Sequence, residues 1–176
     1  VSNRPALKVL QQGGTWHTLR LIPAGDAGIK ATLRIMRDIV RGWRSTPLVR
    51  NTARSITGET AGKQFRREAA TLQRWVQNNI KYQQDVADVE TVQTPDLTLR
   101  DRAGDCDDQS VLIASLLQAI GHPVRFVAVA FEPGGEFSHV FAETRIGGYW
   151  LPVETTEPYE LGQFPPGVRR HLFENV

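Results

Sequence analysis

Ala103-Gly104-Asp105-Cys106-Asp107-Asp108-Gln109-Ser110 sets the only cysteine of the chain at the threshold of its most apolar helix. Val111, Leu112, Ile113, Leu116, Leu117 and Ile120 follow at helical spacing, Gly121 can end the helix in the left-handed conformation, and Pro123 prevents its continuation. Asp105 is a natural N-cap. The first N–H groups of such a helix are unpaired and its N-terminus carries partial positive charge, which favours a thiolate. Asp105, Asp107 and Asp108 act the other way, so the helix end alone does not activate the thiol. An isolated helix cysteine is most often plain packing, but Gly-Asp-Cys-Asp-Asp is an unusually polar setting for a core thiol, and a small residue before it suits close approach of a substrate. Cys106 therefore reads as a nucleophile in need of a cationic partner, normally a histidine.

Downstream, the period changes from helical to extended. Val124 to Phe131 is apolar on both alternating faces except at Arg125, as in a central strand covered on both sides. Glu132-Pro133-Gly134-Gly135 turns the chain, His139 to Ile146 forms a second strand, Gly147-Gly148 is a hairpin signal, and Tyr149 to Thr155 returns as a third. The fold class is α+β, with the cysteine helix packed on antiparallel strands. A two-residue Gly147-Gly148 loop pairs Ile146 with Tyr149, Phe141 with Glu154 and His139 with Thr156. Alternation then gathers His139, Phe141, Glu143, Pro152, Glu154 and Thr156 on one face. Glu154 lies diagonal to His139, within reach of its imidazole, and Glu143 on the same face is a rival orienting acid. A nucleophile, a base and an orienting carboxylate are thus in positions that can converge.

Upstream, a short strand is expected from Thr15 to Ile22 after Gly13-Gly14. An amphipathic helix runs from Asp26 to about Arg44, and Thr46-Pro47 starts a second that closes at Gly58. A third begins near Thr60 and carries the stripe Phe65, Ala69, Leu72, Val76 and Ile80. Residues 81–102 read as a long, polar, turn-rich connection leading into Cys106, either a cleft wall or an exposed linker. Tyr82, Gln84 and Gln93 are the donors it can offer a reacting carbonyl.

With 176 residues, 40% of them hydrophobic, the chain is expected to form one domain: a helical part over 26–80, a core over 81–156 and a tail over 157–176 that serves as a docking segment or flap. A net charge of +2 with dispersed basic residues argues against nucleic acid. One cysteine excludes an internal disulfide framework and a multi-cysteine zinc site. No run is apolar enough to span a membrane and the N-terminus lacks a signal pattern, so a soluble protein without membrane partners is expected. The three aspartates complement the helix dipole rather than follow a calcium-loop spacing. His17, His122 and His171 lack ligand spacing, and no nucleotide fingerprint is present, so neither metal nor cofactor is expected.

Gly104-Asp105-Cys106-Asp107-Asp108, Gly121-His122-Pro123-Val124-Arg125, Phe137-Ser138-His139-Val140 and Gly148-Tyr149-Trp150-Leu151-Pro152-Val153-Glu154, with Asn79-Ile80-Lys81-Tyr82 before them, resemble the transglutaminase-like superfamily. The resemblance runs from Thr60 to Thr156 and extends to short, stand-alone bacterial and prophage-encoded members. It implies a papain-like core with Cys106 as nucleophile, His139 as base and Glu154 as third member, a position where the family usually has aspartate. An acyl-enzyme thioester would form, with the Cys106 N–H and one of Tyr82, Gln84 or Gln93 facing the oxyanion. Resolution by water makes a cysteine-dependent amide hydrolase, the favoured reading since nothing announces an amine-donor site; resolution by an amine makes an acyl transferase. The substrate class is a protein, a peptide or a cell-wall stem peptide. A binding or assembly module, for instance in a phage particle, is the alternative that keeps the fold without the chemistry. Oligomeric state and location, cytoplasmic or particle-associated, are left open.

Overall fold

Fourteen elements follow one another along the computed structural model, which describes residues 6–10, 18–21, 23, 25–58, 64–85 and 91–176. They are β1 (Ala6–Leu10), β2 (Thr18–Leu21), α1 (Gly25–Trp43), α2 (Pro47–Thr57), α3 (Phe65–Asn79), β3 (Lys81–Tyr82), β4 (Thr91–Gln93), α4 (Pro95–Asp101), β5 (Ala103–Gly104), α5 (Cys106–Ala119), β6 (Val124–Ala130), β7 (His139–Ile146), β8 (Tyr149–Val153) and β9 (Arg170–Asn175).

The apolar run after Cys106 becomes the central helix. Val111, Leu112, Ile113, Ala114, Leu116 and Leu117 of α5 are all fully buried, and a helix apolar all round belongs in a core. Its inner neighbours are Met36 and Val40 of α1, Val49 and Ala53 of α2, and Ala69, Leu72 and Val76 of α3, which join the same cluster. The other side of α5 rests on β7, with Val140 and Ala142 in that cluster and Ser110 Oγ donating to the Val140 carbonyl at 3.2 Å. Local chemistry starts α2 and α5 as the sequence predicts. Thr46 accepts from the Val49 N–H ahead of Pro47, and Asp105 and Asp108 form a reciprocal capping box at the first turn of α5. Gly121 follows the end of α5 with φ of 91°.

The main sheet has the order β8-β7-β6-β9 and every pair is antiparallel. The β7–β8 hairpin has the expected register, from Ile146 opposite Tyr149 to Ala142 opposite Val153. Gly147 and Gly148 both have positive φ, 60° and 89°, the condition of the tight turn that matches strand twist. Smaller sheets join β2-β1-β4 and β3-β5.

In four regions the structure refines the sequence reading or leaves part of it outside the described residues. The expected strand from Thr15 to Ile22 is Thr18–Leu21, the adjoining residues 15–17 and 22 lie outside the described residues, and β1 pairs antiparallel with it. The start of the third helix near Thr60 also falls outside them. Residues 81–102 are not a featureless connection: β3, β4 and α4 occupy them, and Val92, Leu97 and Thr98 are buried. The end of the tail, expected as a docking segment or flap, is β9, the edge strand beside β6.

Candidate active site

Asp105 caps α5 by accepting from the Asp107 and Asp108 N–H groups at 3.0 and 3.2 Å, which puts Cys106 on the first residue of the helix. Asp108 is buried and receives the Gln93 N–H at 2.6 Å and the Asp105 N–H at 3.2 Å. Burial, then the charge of Asp105, pushes its pKa up to about 8. A Cβ at Gly104 would lie 2.6 Å from the Asp108 Cβ, so glycine is what lets β5 pass so close to the cap.

The Cys106 thiol is half-buried and donates to Asp107 Oδ1 at 3.5 Å. Burial raises its pKa far above the ordinary thiol value, and the charges of Asp107 and Asp105 raise it further. A backbone hydrogen bond from Val140 opposes them. That bond places the thiol beside Val140, the second residue of β7.

His139 Nε2 and Glu154 Oε2 are 2.7 Å apart. The ring is 17% exposed and the carboxylate side chain 1%. Glu154 Oε1 accepts from both the N–H and the hydroxyl of Thr156, at 2.8 Å each. Burial would raise the pKa of Glu154, but the hydrogen bond and charge of His139, together with Thr156, outweigh it and hold the group below its ordinary value. An ionised carboxylate only accepts, so the proton of a neutral ring sits on Nε2 and Nδ1 keeps its lone pair. Glu143, the rival acid, is committed elsewhere: the Arg125 guanidinium donates to its Oε2 at 2.6 Å and stacks over Trp150 and Phe173.

Tyr82 links the two halves of the site. Tyr82 is 55% exposed, and partial burial of its hydroxyl, then the neighbouring Cys106 and aspartates, raises its pKa. It also lines, with His139 and Glu154, a cleft of about 530 Å³ walled by Phe131, Tyr159, Pro165 and Pro166. The other two expected donors are placed differently. Gln84 is exposed, and Gln93 gives its backbone N–H to Asp108 while its side-chain oxygen accepts from Thr98 at 3.4 Å. The structure therefore joins His139 to Glu154 by a hydrogen bond, brings Tyr82 to their cleft, and leaves the Cys106 thiol bonded to Asp107 rather than to His139.

Sequence reading passes over three glutamines. Gln109, one turn beyond Cys106, donates to the Gly104 carbonyl at 3.2 Å. Its Oε1 is the one buried side-chain polar atom among the described residues with no hydrogen-bond partner. Gln73 and Gln77 lie on the inner side of α3, and a polar pair at i, i+4 spacing that begins four residues after Ala69 was the available signal. Asp105, Cys106 and Asp107 are close enough to hold a cation, but the capping bonds already account for Asp105.

Residues 50–155 match the transglutaminase-like superfamily. No curated protein matches the chain by sequence. Among solved structures, a candidate protease from Parabacteroides distasonis is similar at 18% identity with a TM-score of 0.58, over 71% of this chain and 26% of that one. A candidate cysteine protease from Cytophaga hutchinsonii is similar at 17% identity with a TM-score of 0.51, over 81% of this chain and 55% of the other. The chain thus spans about a quarter and about half of these two proteins, and at such identities the likeness is one of fold.

Proposed function

The chain belongs to the transglutaminase-like superfamily, and on that premise we propose that it is a cysteine-dependent amide hydrolase of protease type acting through Cys106, His139 and Glu154. The observation that carries the reading is the His139–Glu154 hydrogen bond of 2.7 Å, made by a nearly inaccessible carboxylate to a ring that opens on a cleft. Residues 1–176 act here as one domain, in which the helical part supports α5 and the C-terminal residues complete the sheet and wall the cleft. Proteins or peptides are the substrate class, cell-wall stem peptides among them.

The chemistry follows from these positions. His139 Nδ1 takes the proton of Cys106, and the resulting imidazolium supplies the positive charge that Asp105 and Asp107 make indispensable. Glu154 holds Nε2–H and stabilises the charged ring. The thiolate attacks the amide carbonyl carbon, forming the C–S bond while the carbonyl electrons move to oxygen. The Cys106 N–H, at the helix start, and the Tyr82 hydroxyl donate to that oxyanion. Collapse breaks the C–N bond as His139 returns its proton to the leaving amine. Water, deprotonated by His139, then attacks the thioester, releasing a carboxylic acid and restoring the thiol.

The test is the rate of Cys106 alkylation against pH in the parent, His139→Ala and Glu154→Gln, together with cleavage of a fluorogenic peptide library. The reading expects His139 to lower the alkylation midpoint, so that the midpoint rises when His139 is removed, and expects cleavage that requires Cys106. A slow thiol indifferent to His139 and no cleavage would leave a binding module on this fold.

A further inference from the structure

A carboxylate is held only as well as the backbone that carries it, and Glu154 stands one residue past the end of β8, where pairing with β7 has just stopped at Val153. From Glu154 to Tyr159 the chain belongs to no helix or strand, so its carbonyl groups need donors from elsewhere. They find them on α3. Gln73 Nε2 donates to the carbonyls of Glu154 at 2.8 Å and Tyr159 at 2.9 Å. Gln77 Nε2 reaches the carbonyls of Glu154 at 3.0 Å, Glu157 at 2.9 Å and Tyr159 at 3.0 Å. A carboxamide nitrogen has two hydrogens. Both of those on Gln73 are committed, and those on Gln77 are shared among three acceptors.

We propose that Gln73 and Gln77 are positioning residues for the active site, setting the depth at which the Glu154 carboxylate meets His139. The inference rests on the reading of Cys106, His139 and Glu154 as the catalytic group. Three observations carry it beyond simple loop anchoring. Both glutamines converge on the carbonyl of Glu154 itself. The span they grip also holds Thr156, whose N–H and hydroxyl bind the Glu154 carboxylate, and Tyr159, which walls the cleft beside His139. Glutamate, finally, has one more rotatable bond than aspartate, so an acid of this length needs a firmer root to present its oxygen in one place. A neutral amide supplies that root without adding a charge beside the His139–Glu154 pair, and Gln73, 2% exposed, is out of competition with water.

The experiment uses Gln73→Met and Gln77→Met, which keep length and lose the donors, and Gln77→Asn, which retracts the donor by one methylene at a half-buried position. Each is read by kcat and KM on a cleaved peptide, by the pH profile of Cys106 alkylation, and by the tautomer of the His139 ring from its ¹⁵N shifts. The expected result is a fall of about tenfold in kcat, as for a small misplacement of a reacting group, with KM little changed and a mixed His139 tautomer in place of a single Nε2–H form. Variants that lose melting temperature but keep kcat, alkylation profile and tautomer would overturn the proposal and leave the glutamines as loop anchors. If the parent cleaves nothing, the catalytic reading fails while the tautomer still decides the positioning: a mixed ring in Gln77→Asn supports it, and a ring that keeps its single form overturns it. If the methionine variants do not fold, Gln77→Asn carries the same decision.

Discussion

Two histidine–carboxylate pairs stand among the described residues, and they do different things with the same chemistry. His139 and Glu154 meet at 2.7 Å, His122 and Glu68 at 3.0 Å. In the second pair it is the ring that is enclosed. The His122 side chain is 0% exposed, Phe65 lies edge-on to its ring at 5.3 Å, and the Thr144 hydroxyl is 3.4 Å from Nδ1. It ties α3 to the turn between α5 and β6. In the first pair the acid is buried and the ring is 17% exposed, on a cleft. What separates a structural pair from a candidate catalytic one is therefore access to the ring, not the hydrogen bond itself.

The sharpest way to break the comparison is to remove each histidine. His139→Ala should lower peptide cleavage about a thousandfold, the middle of the range for loss of a general base, and should also cost about 1–3 kcal/mol in urea unfolding because the buried Glu154 loses its partner. His122→Ala should cost about 2–4 kcal/mol because its partner is stranded and a cavity opens, but with kcat of the folded fraction near that of the parent. Equal losses of activity in both variants would erase the distinction.

The acids sharpen it at smaller amplitude. Glu154→Gln should reduce kcat about 10- to 100-fold, since the amide still offers an oxygen to Nε2–H but no charge to the imidazolium. Glu68→Gln should cost about 1 kcal/mol of stability and leave kcat alone. Glu143→Gln, which loosens Arg125 between Trp150 and Phe173, is expected to cost about 1–3 kcal/mol, because the acid is buried and its bond is charge-assisted, without touching kcat. A large loss of kcat there would restore Glu143 as the orienting acid.

The smallest effect is on the pH dependence of stability. The pKa of Glu154 is depressed in the folded protein, so its ionised form contributes stability that is fully present above the unfolded value of about 4.5 and fades as pH falls through the lower folded value. Chemical unfolding followed from pH 7 downward should show this loss in the parent and a flatter acid limb in Glu154→Gln. Superimposable acid limbs would mean that the His139 and Thr156 bonds do not favour the charged acid.

Much of the site was written locally. Asp105 as N-cap, the apolar run from Val111 to Leu117 and the Gly147-Gly148 turn depend on neighbours a few residues away, and from them follow the central helix, the β7–β8 register and the approach of Glu154 to His139. Their agreement with the structure has a simple cause: helical period, capping and a two-residue hairpin leave few alternatives. Tertiary structure decided what depends on distant partners. Whether Glu143 or Glu154 serves His139 turned on Arg125, one strand away; whether His122 is idle or paired turned on Glu68 in α3; and β9 is a strand because β6 offered it an open edge. Val92 and Leu97 are buried inside a stretch too polar to announce it, since α5 covers what their own segment cannot. The sequence by itself determined which residues can do chemistry, through residue type and short-range geometry, and only the packed fold decided which of them face a cleft, because access is a property of everything that surrounds a side chain.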